Sequence, residues 1–154
     1  SMTILPLKKT VLIPRIDGIA KELQALEEIR KRTKKELNDT DFALASFHLQ
    51  RILEGMVNIG THILSRKPGK GLNITRYRDI AIALGEIGVV PKKFAEENLV
   101  KMIGYRNRLV HHYAEISKEE ILKILKKNLT GVEKFLSHIK SLIKNPKRTG
   151  FIVD

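Results

Sequence analysis

Apolar residues recur every three or four positions through most of this chain, the spacing of one face of an α-helix. Pro14 suits the first position of a helix. Ile16, Ile19, Leu23, Leu26 and Ile29 follow it and predict a first helix from about Pro14 to Lys35. Asp39 or Thr40 can cap a second helix. Its stripe is Phe42, Ala45, Leu49, Leu53, Met56, Ile59 and Ile63, and it ends near Arg66. Lys67-Pro68-Gly69-Lys70-Gly71 is a loop of helix breakers. Thr75 can cap a short helix through Ile80, Leu84 and Ile87, with Gly88 as its stop. Pro91 opens the next, through Leu99, Ile103 and Arg106 to about His112. Ser117-x-x-Glu120 has the form of a capping box. It opens a last long helix through Ile121, Leu125, Leu129, Val132, Phe135, Ile139 and Leu142.

Two segments are left open by the pattern. Thr10–Ile13 reads equally as a strand or as an extension of the first helix. Residues 144–154 form a basic tail whose apolar tip, Phe151-Ile152-Val153, packs on a partner the pattern does not identify. The sum is an all-α chain of about five helices with short connections. An antiparallel four-helix bundle with an additional short helix is the natural packing. One domain over residues 1–154 is expected, with its core at about 14–143.

Composition narrows the function. Lys and Arg number 29 against 17 Asp and Glu, for a net charge of +12. That excess favours polyanions through steering and counterion release. The cations cluster at Lys31–Lys35, Arg66–Lys70, Lys92-Lys93, Lys126-Lys127 and Lys144–Arg148. Several of these clusters close helices, where cations also suit the helix dipole. There is no cysteine, which fits a reducing compartment. With no signal peptide, a cytoplasmic location is expected. No apolar run approaches the roughly 18 residues of a membrane span.

The histidines, His48, His62, His111, His112 and His138, include no i,i+4 pair and no companion carboxylate cluster. No metal site or cofactor is therefore expected. Chemistry concentrates instead in Arg106-Asn107-Arg108-Leu109-Val110-His111-His112-Tyr113. On an ideal helix, Leu99, Ile103, Arg106, Val110 and Tyr113 fall within roughly 80°. Arg106 thus lies within an apolar stripe, and a carboxylate, a subunit interface or a phosphate must face it. Metal-free RNA cleavage needs a base for the 2′-hydroxyl proton, a fixed cation on the phosphate and an acid for the leaving oxygen. His111 as base or acid and Arg106 as phosphate clamp fit those roles. Asn107 can orient either group. One straight helix, however, points Arg106 and His111 about 140° apart. Either the helix ends or kinks near His111, or a second subunit completes the site. Arg108 and His112 point elsewhere: Arg108 reads as solvated or phosphate-contacting, and His112 as the helix end.

Arg106-x4-His111-x-Tyr113, with Asn107 and Leu109-Val110 between, resembles the signature of the HepT-like toxins of the HEPN superfamily. The likeness extends over roughly residues 14–143. The segment from His48 to Leu64 resembles the family's second helix, although many members carry an acidic residue where this chain has Asn58. The resemblance implies a small helical ribonuclease, the toxin of a toxin–antitoxin pair, cutting RNA, possibly tRNA. It implies a minimal nucleotidyltransferase antitoxin as partner, and a homodimer with both motifs in one cleft. It also implies transfer of AMP to the motif tyrosine, here Tyr113. The alternative is a catalytically silent HEPN domain that binds nucleotide or docks the nucleotidyltransferase.

Overall fold

The structure is a computed structural model and describes residues 4–67, 74–111 and 115–154. Helix α1 spans Lys9–Arg32, so Thr10–Ile13 extends the helix and Pro14 lies inside it. An interior proline costs about 3 kcal/mol. The helix start is held nonetheless by contacts distant in sequence. The Leu7 amide donates to Ile152 O at 2.9 Å and the Lys9 amide to Asp154 O at 3.0 Å. The Lys8 amide donates to His62 Nε2 at 3.1 Å. Leu12 is buried and adds one turn to the expected stripe. The helix stops at Arg32, short of Lys35, where the Thr33 hydroxyl donates to Ile29 O at 2.7 Å.

Helix α2 spans Asp39–Ser65. Its cap is Asn38, one residue before the expected pair, with Oδ1 accepting from the Asp41 amide at 2.7 Å. Asp39 and Asp41 then sit in the first turn, where the dipole favours them. Helix α3, Tyr77–Glu86, begins at Arg76 rather than Thr75. The Asp79 carboxylate fastens that start, accepting from the Thr75 amide and hydroxyl and from the Arg76 amide at 2.9–3.1 Å. Gly88, at φ +83°, ends the turn after α3, a backbone region that favours glycine.

The next helix starts at Lys92, with Pro91 as its cap. Lys92–Phe94 is α-helical, Ala95–Leu99 is a π segment, and α4, Val100–His111, continues from it with helical backbone at both joins. The π segment packs against the end of α3. A Cβ on Gly85 would lie 2.9 Å from Ala95 Cβ.

The expected last long helix is two helices, α5 (Lys118–Lys127) and α6 (Leu129–Lys144). The chain turns at Asn128, at φ −109° and ψ −8°. Asn128, Thr130 and Gly131 are poor helix formers. The turn also seats Gly131 on Met102, whose Sδ would lie 2.9 Å from a Cβ there. Ser117 caps α5 by accepting from the Glu120 amide at 3.1 Å. The return half of the expected capping box is replaced, because the Glu120 carboxylate bonds Arg108.

The architecture is the expected bundle. Short links make α1 and α2 antiparallel neighbours, and α4 packs on α2 and α3. Helix α5 lies against α1 and α2, and α6 against α1. Among the described residues the only extended pairing is an isolated bridge, Leu7 to Val153. It answers the question of the tail. After a 3-10 turn, Pro146–Thr149, Phe151 enters the core at 1% exposure, worth about 1.5–3 kcal/mol for a buried side chain of its size.

Candidate active site

Arg106 lies where the stripe places it, in the arc of α4 that also buries Met102, Ile103 and Leu109. Its side chain is 15% exposed. Three groups meet it. The Tyr77 ring lies under the guanidinium, 4.3 Å from its central carbon. Glu54 Oε1 on α2 is 3.9 Å from Nη2. Asn107 Oδ1 accepts from Nη1 at 3.4 Å. The facing carboxylate is therefore real but distant, beyond hydrogen-bonding range.

This leaves the guanidinium under-bonded. Nε is buried with no hydrogen-bond partner. A buried unpartnered donor costs about 1–3 kcal/mol. Tyr77 occupies a face of the guanidinium, whereas the N–H donors lie in its plane. Stacking fixes the group without consuming its fork. A phosphate arriving in that plane would supply the missing acceptors.

Sequence reasoning did not single out Tyr77 or Glu54. Tyr77 is the first residue of α3, so the Asp79 cap fixes its backbone. Glu54 sits one turn before Asn58, so the carboxylate is supplied one turn from the position where it was noted missing. An acid flanking the apolar stripe at Leu53 and Met56 was the available signal. Glu54 and Asn58 also line a groove of about 230 Å³ between α1 and α2, with Arg15, Glu22 and Arg51. Further along the same face of α2, Leu44 and Phe47 are exposed, and Arg51 lies over the Phe47 ring at 5.5 Å.

His111 is the last residue of α4 and is exposed. The helix stays α-helical through it, about 7.5 Å along the axis from Arg106 and on another side. Asn107 is exposed and touches Arg106. Tyr113 and His112 lie outside the described residues. Arg108 is not solvent-directed as expected. Its Nη1 and Nη2 donate to Glu120 at 2.6 and 3.0 Å, and Nη2 also reaches Glu115 O at 3.3 Å. The hydrogen bond from Arg108 holds the Glu120 carboxyl below its ordinary pKa. This fork ties α4 to the start of α5 on both sides of the motif's end.

The remaining histidines have other surroundings. His48 pairs with Glu22, which Arg51 also contacts at 2.7 Å. Burial pushes the Glu22 carboxyl up, but these hydrogen bonds outweigh it and leave its pKa below the ordinary value. His62 is buried, and burial followed by the charges of Arg66 and Arg15 lowers its pKa. Among the described residues, no three or more His, Asp or Glu side chains gather as a metal site. No described helix is long and apolar enough to cross a membrane.

Comparison with known proteins adds to this geometry. The sequence model of a family described as "Ribonuclease HepT-like" matches residues 19–139. The mRNA nuclease HepT of Shewanella oneidensis is 27% identical over 133 residues, covering 81% of this chain and 98% of that protein. A solved toxin–antitoxin with AMP-PNP shares the fold at TM-score 0.72 and 22% identity, over 86% of this chain and 98% of that one. A mutant of the toxin–antitoxin MntA-HpeT gives TM-score 0.73 at 22% identity with the same coverage. YutE, a cytosolic protein of unknown function from Bacillus subtilis, gives 0.67 at 20% identity, over 86% and 91% of the two chains.

Proposed function

Because the chain belongs to the HepT-like ribonuclease family, we propose that it is the toxin of a toxin–antitoxin pair, an endoribonuclease that needs no metal. The observation that carries this reading is the under-bonded guanidinium of Arg106 inside the Arg106-x4-His111-x-Tyr113 motif. His111 takes the proton from a 2′-hydroxyl. The freed oxygen attacks the adjacent phosphorus, the 5′-oxygen of the next nucleotide leaves with a proton, and a cyclic phosphate remains. Arg106 holds the phosphate oxygens as charge builds on them. Asn107 limits the swing of the guanidinium.

The functional unit is a homodimer. Arg106 and His111 belong to different sides of one helix, so a base from one protomer serves the clamp of the other. The exposed Leu44 and Phe47, on the face of α2 that leads to Glu54, support such a contact. The partner is a minimal nucleotidyltransferase antitoxin, which silences the toxin by transferring AMP to Tyr113. The site of action is the cytoplasm.

The test is cleavage of RNA by purified protein in EDTA. Cyclic phosphate or 3′-phosphate ends are expected, and DNA of the same sequence should survive. Arg106→Ala and His111→Ala should each abolish cutting with unchanged circular dichroism. A wild type inert on every RNA pool, or two mutants that both cut normally, would leave a nucleotide-binding or docking module in place of the enzyme.

A further inference from the structure

The last turn of α6 and the 3-10 turn after it lie past residue 139, where the family match ends. With Gly88 and Val89 they enclose a cavity of about 270 Å³. Its polar lining is His138, Ser141, Lys144, Asn145 and Arg148. Every one of these side chains offers a hydrogen-bond donor. Among the described residues none of the five has a hydrogen bond or a carboxylate within 4.0 Å. The one acid on α6, Glu133, lies two turns before Ser141.

Backbone acceptors that would repel an anion here are already used. Ser141 O accepts from the Asn145 amide, Pro146 O from the Phe151 amide, and Lys147 O from the Gly150 amide, all at 2.9–3.0 Å. The walls are also fixed. The Phe94 ring lies 5.8 Å from the His138 ring. Lys67 Nζ donates to Thr149 O at 2.7 Å, and Phe151 is buried beneath. Burial, then the charges of Arg148 and Lys134, lowers the His138 pKa, so the ring is neutral at pH 7 and keeps one N–H to donate. This is a donor-lined, cationic cavity with nothing in it to satisfy its donors.

We infer that this cavity binds a phosphate group, that of an RNA strand whose scissile bond lies at Arg106. Phe94 marks the cavity's end of the helix that carries the motif, and twelve residues to Arg106 place the two sites about 18 Å apart along it. The identity of the strand rests on the ribonuclease reading; the phosphate chemistry does not.

The experiment measures binding rather than cleavage. A fluorescent 2′-O-methyl RNA has no free 2′-hydroxyl and stays intact on the full chain. Its affinity is followed by anisotropy from 50 to 200 mM salt. Lys144→Gln/Arg148→Gln removes two cations from the cavity, and Lys34→Gln/Lys35→Gln removes two elsewhere. Each phosphate contact on a single strand contributes about 0.7 to the slope of log affinity against log salt. The wild type should therefore lose about sevenfold more affinity over this range than the cavity variant. The control pair should show less than half that effect. Equal effects of the two pairs would overturn the inference. In parallel, the His138 ring resonances, assigned with His138→Gln, are followed as the RNA or AMP is added. Movement with RNA alone assigns the cavity to the strand; movement with AMP as well assigns it to phosphate from either source. Resonances that move with neither would overturn it. A wild type that ignores RNA while AMP moves His138 would reject the ribonuclease reading and keep the phosphate site.

Discussion

Replacing Arg106 by methionine separates a functional arginine from a structural one. Methionine keeps the length and apolar body of the stem and removes every donor. Three terms decide its stability. Removing the buried, unpartnered Nε relieves about 1–3 kcal/mol. Losing the contact over Tyr77 at 4.3 Å costs about 0.5–2 kcal/mol. Losing Glu54 at 3.9 Å, itself 43% exposed, costs about 0–1 kcal/mol. The terms nearly cancel, so Arg106→Met should stay within about 1 kcal/mol of wild type, or about 2–4 °C in Tm for a domain of this size. An arginine held by a well-made buried ion pair would instead cost about 3–5 kcal/mol. Differential scanning calorimetry distinguishes the two. Cleavage by the same protein should fall at least 100-fold, about 2.7 kcal/mol of lost charge stabilisation. A drop in Tm beyond about 10 °C, or retained cleavage in a stable variant, would refute the reasoning.

Three further outcomes follow from the same geometry. Mixing Arg106→Ala with His111→Ala chains should restore part of the activity, because one of the two clefts in a heterodimer keeps both groups; a strictly additive, inactive mixture would reject the shared cleft. Tyr113→Phe should fold and cut RNA, gain no AMP-sized mass in the presence of the nucleotidyltransferase and ATP, and escape its silencing; an adduct mapped to another residue would reject that control. Stability should fall as the pH drops from about 7 towards 5, since His62 and His138 have lowered pKa values in the fold and the unfolded chain takes up protons first. Their contribution is full above the unfolded value and lost below it, and His62→Gln, which keeps an acceptor for the Lys8 amide, should flatten the decline in Tm.

The helices were legible because their stripes are long and their periodicity is unbroken, as in Ile16–Ile29 and Ala45–Ile63. Their ends were less so. Asn38 took the cap from Asp39, and Pro14 sat inside α1, because residues 7–9 are tied to residues 152–154, far away in sequence. The break at Asn128 was hidden by an apolar stripe that keeps its spacing across it, while the packing of Gly131 on Met102 is visible only in three dimensions. For the site, the spacing located Arg106 within the buried arc and raised the question of what faces it. The answer, Tyr77 from a helix thirty residues earlier, had no local signal. Arg108 was misjudged for the same reason: its partner Glu120 looked committed to a capping box.

The widened π turn at Ala95–Leu99 has a consequence for the inheritance of the motif. Such a turn holds an extra residue compared with an α turn. Deleting one residue there would let the helix close to 3.6 residues per turn and rotate everything after it by about 100° relative to everything before. The side before the turn is pinned by Gly85 against Ala95 and by Phe94 against His138. The side after it is pinned by Met102 and Ile103 in the core. The helix therefore behaves like a keyed shaft. Substitutions along it can be absorbed one at a time, but a change of length by one residue between Lys92 and Arg106 would turn the arginine away from Tyr77 and carry the whole motif out of phase with the bundle.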